Sequence, residues 1–227
     1  YDAVRLAEAR GGPEKTVEWN GKTWTLLDLY TKGQTPYEWF PSLFKPAKEK
    51  GIIAFSSVFD AQGVDYLETL GCPAYKISSF DIGNLPLIEK AASTEKPLIL
   101  STGMADDDQI RAALRAVNTY RNVALLHCVS AYPTEPAQAN LRRLLSFHSR
   151  FNFDCFGFSD HTLGSECAIA AVALDACIIE KHITLSRNDG GLDDFFATEP
   201  EEFRQLVVSC KNAWASCQPS EAMEPYR

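Results

Sequence analysis

Two histidines, His161 in Cys155-Phe-Gly-Phe-Ser-Asp-His161-Thr and His182 in Cys177-Ile-Ile-Glu-Lys-His182-Ile-Thr, each close a short apolar run. A helical pattern from Ser165 to Leu174 lies between them, so the two runs read as buried strands of about six residues joined by one crossover. Successive parallel strands lie only about 5 Å apart, so imidazoles at the same ends of both can converge on one divalent cation. A lone strand-end histidine is more often a satisfied polar residue than a ligand, and the pair by itself leaves both readings open. Alternation along each strand puts Ser159 with His161 on one face and Asp160 on the other; Glu180 and His182 likewise share a face, with Lys181 opposite. Inward imidazoles completed by oxygen ligands suit manganese or magnesium better than a closed zinc tetrahedron.

Other strand ends carry chemistry of their own. Lys76, in Tyr75-Lys-Ile-Ser-Ser79, combines an ammonium with nearby hydroxyls, a plausible cradle for phosphate or carboxylate; the plainer reading lets its stem run along apolar surface to solvent. Ser130 and Tyr132, in Cys128-Val-Ser-Ala-Tyr-Pro133, can orient a polar ligand, although Tyr-Pro is also an everyday loop sequence. Asp193, in Gly190-Gly-Leu-Asp193, is by default a turn carboxylate.

Positioning these groups takes a repeated unit, and the chain supplies one. From Gly51 onward, strands are expected at Ile52–Ser57, Ala74–Ile77, Leu98–Ser101, Val123–Val129, Phe156–Ser159 and Cys177–Ile183. Each is followed by a helical pattern: Ala61–Leu70, Leu85–Ser93, Asp106–Val117, Ala137–Phe147, Ser165–Leu174 and Glu201–Ala215. Six such units on short loops require a parallel sheet with right-handed crossovers. Polar groups fall at every strand end, including Ser57, Ser101 and His127. A barrel gathers all its strand ends at one mouth, whereas an open sheet uses chiefly its switch point, and no Gly-rich dinucleotide fingerprint follows any strand. The expected fold is therefore an α/β, TIM-type (β/α)8 barrel whose first one or two strand–helix units lie outside this chain.

The expected organisation is an N-terminal barrel-associated segment over 1–50, the six units over 51–217, and a linker starting at 218–227. Within the first segment, Trp19-Asn-Gly-Lys-Thr-Trp24 reads as a hairpin, and Leu26–Tyr30 and Ser42–Lys48 as helical. The lack of an initiating Met suggests a start inside a longer chain.

Composition narrows the class of partner. The 227 residues are 45% hydrophobic and 23% charged, ordinary for a globular domain. A net charge of -8 with no Lys/Arg block argues against nucleic acid, while a few local cations still suffice for a small anion. The seven cysteines are odd in number and show no CxxC pair, so they read as small core residues of a reducing compartment. With no signal-peptide stretch or membrane span, a cytoplasmic location is expected.

Five motifs in register, Tyr75-Lys-Ile-Ser-Ser79, Leu100-Ser-Thr-Gly-Met104, Leu126-His-Cys-Val-Ser-Ala-Tyr-Pro133, Phe158-Ser-Asp-His-Thr162 and Ile179-Glu-Lys-His-Ile-Thr184, resemble those of the sialic acid synthase family. The resemblance runs from about Thr35 to Trp214. Trp19-Asn-Gly-Lys-Thr and Thr35-Pro-Tyr-Glu-Trp39 are most similar to the pseudaminic acid synthase branch. It implies condensation of phosphoenolpyruvate with an acetamido sugar, here of the 2,4-diacetamido-2,4,6-trideoxy hexose type, to a nine-carbon nonulosonic acid and phosphate. N-acetylneuraminate and legionaminate synthases are the nearest alternatives, beside a sugar-binding fragment that is catalytically incomplete and another barrel aldolase. By the same resemblance His161 and His182 would bind Mn2+ or Mg2+; Ser57, Lys76, Ser79, Ser130 and Ser159 would hold phosphoenolpyruvate, with His161, His182 and Lys76 catalytic; Asp81, Tyr132 and Asp193 would line the sugar site. Ser130 stands where the sialic branch has Asn. The family's upstream Ala-Glu-Ile and Lys-Phe-Gln segments have no counterpart here. A homodimer in the longer protein, small-molecule substrates, and no nucleic-acid or membrane partner complete the expectation.

Overall fold

The computed structural model describes residues 1–117, 122–151 and 155–218. It opens with helix α1 (Ala3–Ala9), whose first turn is capped by the Asp2 carboxylate accepting from the Val4 and Arg5 amides at 2.9 and 3.1 Å. Strands β1 (Thr16–Trp19) and β2 (Lys22–Thr25) form the expected hairpin. Asn20 and Gly21 both take positive φ at its tip, as a two-residue primed turn requires. Helices α2 (Leu26–Gly33) and α3 (Phe40–Glu49) follow. Helix α1 was not foreseen, since its seven residues span too few turns to show a period.

The six expected strand–helix units then appear in order. Their strands are β3 (Ser56–Ser57), β4 (Tyr75–Ile77), β5 (Leu98–Ser101), β6 (Val123–His127), β7 (Phe156–Asp160) and β8 (Ile178–Lys181). They lie side by side in sequence order, all parallel, as one curled sheet. The helices are α4 (Ala61–Thr69), α5 (Leu85–Ala92), α6 (Asp107–Val117), α7 (Leu144–Phe151), α8 (Glu166–Ala173) and α9 (Pro200–Cys217). Asp106 and Gln109 close the start of α6 reciprocally, each side chain accepting from the other's amide at 2.8 and 3.0 Å. Between sheet and helices runs one apolar layer that includes Tyr75, Ile77, Leu98, Leu100, Leu125 and Phe158 from the strands and Ile88, Ile110, Leu144 and Phe147 from the helices.

Three expectations need correction. The strand predicted over 52–57 pairs only at Ser56 and Ser57, opposite Tyr75 and Lys76. Ile52 and Ile53 are 61% and 75% exposed, because β4 begins at Tyr75 and leaves the residues before Ser56 no backbone to pair with. The helix predicted over 137–147 is broken into 3-10 turns at Pro136–Gln138 and Leu141–Arg143, with α7 starting only at Leu144. Asn140, in the left-handed region at φ 47°, interrupts it. Strand β6 stops at His127 rather than Val129, and that histidine faces the helices: it stacks on Phe158 and its Nε2 bonds the Ala139 carbonyl at 2.8 Å. Burial holds the His127 ring neutral. The linker expected at 218–227 lies, apart from Gln218, outside the described residues.

Candidate active site at the carboxyl ends of the strands

The residues facing the inside of the curled sheet, Lys76, Ser101, Ser159, Glu180 and the imidazoles just beyond, meet at its carboxyl end. They line a cavity of about 370 Å³ together with Ser57, Ser79, Cys128 and Tyr132. His161 and His182 stand with ring centres 5.5 Å apart, nearly perpendicular. The parity read from the sequence holds: Asp160 and Lys181 point the other way and pair with each other at 2.8 Å, almost fully buried.

Each imidazole is oriented through its Nδ1. That of His161 lies 2.7 Å from the Val129 carbonyl and can only donate there, which fixes the tautomer and leaves Nε2 with a bare lone pair. Ser159 approaches that Nε2 at 3.3 Å but gives its single proton to Glu180 Oε1 at 2.7 Å. Burial, opposed by the Val129 bond, pushes the His161 pKa down, and neighbouring His182 lowers it further; the ring is neutral, the form a metal requires. His182 Nδ1 donates to Asp193 Oδ2 at 3.1 Å, so the expected turn carboxylate has a defined partner.

Glu180 also accepts a salt bridge from Lys76 at 3.2 Å, with the lysine side chain only 11% exposed. Lys76 therefore does not snorkel to solvent. Glu180 is the residue whose part the sequence reading missed, although its shared face with His182 was the available signal. Ser79 contacts Cys128 Sγ at 2.9 Å and accepts from the Gly103 amide at 3.0 Å. Gly103 is required there: a Cβ would sit 2.7 Å from both Cys128 Sγ and Ser130 Oγ. The hydroxyls of Ser101 and Ser130 are buried without a partner, a surplus of donors beside the cavity.

Aromatic rings close one side. Tyr132 lies over His161 at 4.3 Å between centres, with Phe196 4.9 Å from His182. Trp19 of the hairpin packs on Tyr132 at 5.3 Å and donates its indole N–H to the Leu192 carbonyl at 2.7 Å. Burial raises the Tyr132 hydroxyl well above its ordinary range. Three predicted residues do not line the cavity: Asp81, Ser130, and Asp193, which touches it only through its bond to His182. Asp81 is held by Arg10, just past the end of α1, at 2.6 Å and by Ser78 at 2.5 Å, and Ser130 sits behind Gly103. Among the described residues no cluster of three His, Cys, Asp or Glu forms a closed metal cage.

The sequence model of the NeuB family matches residues 2–221. The chain belongs to the NeuB family. Its relatives include pseudaminic acid synthase of Helicobacter pylori, 42% identical over 83% of this chain, and N,N'-diacetyllegionaminic acid synthase of Campylobacter jejuni, 42% identical over 82%. In both cases the chain spans 56% of the relative's own length. The crystal structure of an N-acetylneuraminic acid (sialic acid) synthetase from Leptospira borgpetersenii, in complex with citrate, matches with a TM-score of 0.84 at 32% identity, covering 97% of this chain and 74% of that one. A truncated 3-deoxy-D-arabino-heptulosonate 7-phosphate synthase from Thermotoga maritima shares the fold alone, at TM-score 0.69 and 14% identity over 81% of this chain and 73% of that one. The α/β class and the curled parallel sheet of this NeuB family member thus recur in solved proteins. No helix among its described residues is long and apolar enough to cross a membrane.

Proposed function

We infer that this chain forms most of the catalytic body of a nonulosonic acid synthase, which joins phosphoenolpyruvate to a 2,4-diacetamido-2,4,6-trideoxy hexose and releases phosphate. The observation that carries the reading is the convergence of two Nδ1-anchored imidazoles on one cavity with Lys76 and a set of hydroxyls. Its similarity to a pseudaminic acid synthase supports the sugar type; equal identity to a legionaminic acid synthase keeps that sugar series as the second reading.

The residues suit a divalent cation, Mn2+ or Mg2+, held by His161 and His182. Imidazoles sharing a cation at a metal–nitrogen distance of about 2.1 Å keep their centres roughly 4.5–5.5 Å apart, and these stand at 5.5 Å. With only two nitrogen donors the site would keep positions open for oxygen ligands, the preference of hard cations. Such an ion would supply Lewis acidity toward an aldehyde oxygen.

The chain's own groups do the rest. Lys76 binds the phosphoenolpyruvate anion, with Ser57, Ser79, Ser101 and Ser159 donating to its oxygens, so the enol carbon is presented to the sugar aldehyde in one orientation. Ser130, buried behind Gly103, would reach the anion only after a small shift of its loop. Glu180, already accepting from Lys76 and Ser159, keeps the cation localised until the substrate anion replaces it. Tyr132, Phe196 and Trp19 wall off water from one side. Asp193 orients His182 and would meet sugar hydroxyls at the rim, whereas Asp81, buried with both oxygens engaged by Arg10 and Ser78, would reach the sugar only if those contacts opened. As the new carbon–carbon bond forms, positive charge develops on the former enol carbon; water adds there and phosphate leaves with carbon–oxygen cleavage.

Two apolar margins suggest how the sheet is completed. Ile52, Ile53 and Phe55 are exposed beside β3, and Ile183 and Leu185 beyond β8. Both edges of a six-stranded curled sheet would be covered by two further strand–helix units closing a (β/α)8 barrel. We take the longer protein to be a cytoplasmic homodimer.

The test is a phosphate-release assay of the full-length protein with phosphoenolpyruvate and a panel of diacetamido hexoses, with mass detection of a nine-carbon acid. No release with any member would overturn the reaction. In parallel, His161→Ala should lower Mn2+ affinity at least 100-fold by titration calorimetry, on the scale of losing one of two protein donors; unchanged affinity would overturn the metal assignment.

A further inference from the structure

At the opposite, amino end of the same two strands lies a second pair of reactive groups. Cys155 immediately precedes β7 and Cys177 immediately precedes β8, and their sulfurs are 3.6 Å apart. Both residues are exposed and reduced. We propose that Cys155 and Cys177 form a dithiol site that closes to an intramolecular disulfide by exchange with a low-molecular-weight disulfide.

The backbone already has the spacing. Gly157 pairs with Ile178, so Cys155 and Cys177 are one step out of register on adjacent parallel strands. Strands about 4.8 Å apart, offset by about 3.3 Å along the chain, place such Cα atoms roughly 5.8 Å apart. That falls inside the range of about 4.4–6.8 Å that disulfides span. The sulfurs, at 3.6 Å, must close to the bond length of about 2.05 Å. The pairing is selective as well: Cys72, Cys128 and Cys167 are buried, while Cys210 and Cys217 lie on α9.

The exchange balances in two steps. A cysteine thiolate attacks one sulfur of the small disulfide and expels a thiolate, leaving a mixed disulfide on the protein. The second cysteine then attacks the protein-bound sulfur and expels the other half. Two protein thiols lose two protons and two electrons, and the small disulfide takes up both to become two thiols. Burial and then the neighbouring sulfur push the Cys155 thiol up to about 11, so the exchange speeds up as pH rises. The Cys177 thiol donates to the Phe156 carbonyl at 3.0 Å, a bond it must release to react.

The experiment treats the full-length protein with oxidised glutathione, alkylates remaining thiols and digests with trypsin. No lysine or arginine lies between Arg150 and Lys181, so Cys155, Cys167 and Cys177 travel in one peptide. The expected product is that peptide two hydrogens lighter, alkylated once, at Cys167, and converted by dithiothreitol to a form that takes three alkyl groups. Cleavage after Glu166 should leave its two halves joined until reduction. Cys155→Ser should trap glutathione on Cys177 as a lasting adduct. Separate adducts on Cys155 and Cys177 without a bridge, bridges only between chains, or both thiols remaining free to alkylate would each overturn the proposal. None of these outcomes depends on the synthase reading.

Discussion

The face of β7 and β8 turned away from the cavity carries an ion pair whose removal has a calculable cost. Asp160 and Lys181 sit directly opposite in the ladder, 2.8 Å apart, with side chains 0% and 3% exposed. Lys181 also donates to the Thr162 carbonyl at 2.5 Å, while the other Asp160 oxygen accepts from the Thr162 amide and hydroxyl at 2.9 and 2.7 Å. Lys181→Met keeps the stem volume but leaves a carboxylate buried without its counter-charge. Breaking one side of a buried pair costs about 3–5 kcal/mol, and two retained hydrogen bonds place this case near the lower end, at about 3 kcal/mol. Asp160→Asn strands the ammonium instead and should cost about as much. The double variant removes both charges and should lose less than either single change, a coupling of about 3 kcal/mol or more. Urea denaturation at constant m-value measures all three. A single-variant loss below about 1 kcal/mol, or a double variant losing the sum of the two, would refute the claim that the charges hold each other in place.

Gly157→Ala should destabilise by about 3 kcal/mol, because a Cβ there would lie 2.3 Å from the Ile178 carbonyl oxygen and 2.8 Å from Leu126 Cδ2, so β7 must move. Calorimetry should show a midpoint fall of roughly 6–12 °C, with Gly83→Ala, which meets nothing within 4 Å, as the silent control. Glu68 supplies a pH test. Burial raises its pKa, but hydrogen bonds from Lys96 and Tyr75 outweigh that and hold it below the usual carboxylate range. Its contribution is thus present above the unfolded value of about 4.3 and lost as pH falls through the lower folded value. The stability difference between wild type and Glu68→Gln should be constant from pH 5 to 7 and shrink below about pH 4; a difference that grows on acidification would contradict the sign.

The strand–helix rhythm was readable because each strand is a short apolar run ending in polar residues, a local signal. The division of Ser159, His161, Glu180 and His182 from Asp160 and Lys181 was readable from two-residue alternation alone. The same rule, applied to β6, would have placed His127 with Val123 and Leu125 against the helices; its position at a strand end suggested the mouth instead. What failed depended on distant partners. Ile52–Phe55 has the composition of a strand, yet strands exist only where neighbouring backbone is offered. The break before α7 turns on one left-handed asparagine. Arg10 reaches Asp81 across 71 positions of sequence, and nothing near either residue announces the other.

The buried ion pair bears directly on the accuracy of the cavity. Side chains alternate, so a slip of one residue between β7 and β8 sets Asp160 against Glu180 or His182 instead of Lys181. Either slip leaves a carboxylate and an ammonium unpaired in the layer under α8 and α9, at several kcal/mol each. The neighbouring inner-face contacts add less: Ser159 to Glu180 is a single hydrogen bond, and His161 takes its anchor from Val129 rather than from β8. Discrimination between registers therefore comes from the face away from the cavity, while the Nε2 atoms of the facing imidazoles take no part in the pairing of β7 with β8. A cluster that had to hold its own register would need those nitrogens engaged across the strands; here Asp160 and Lys181 carry that role, and the rings of His161 and His182 stay turned to the cavity.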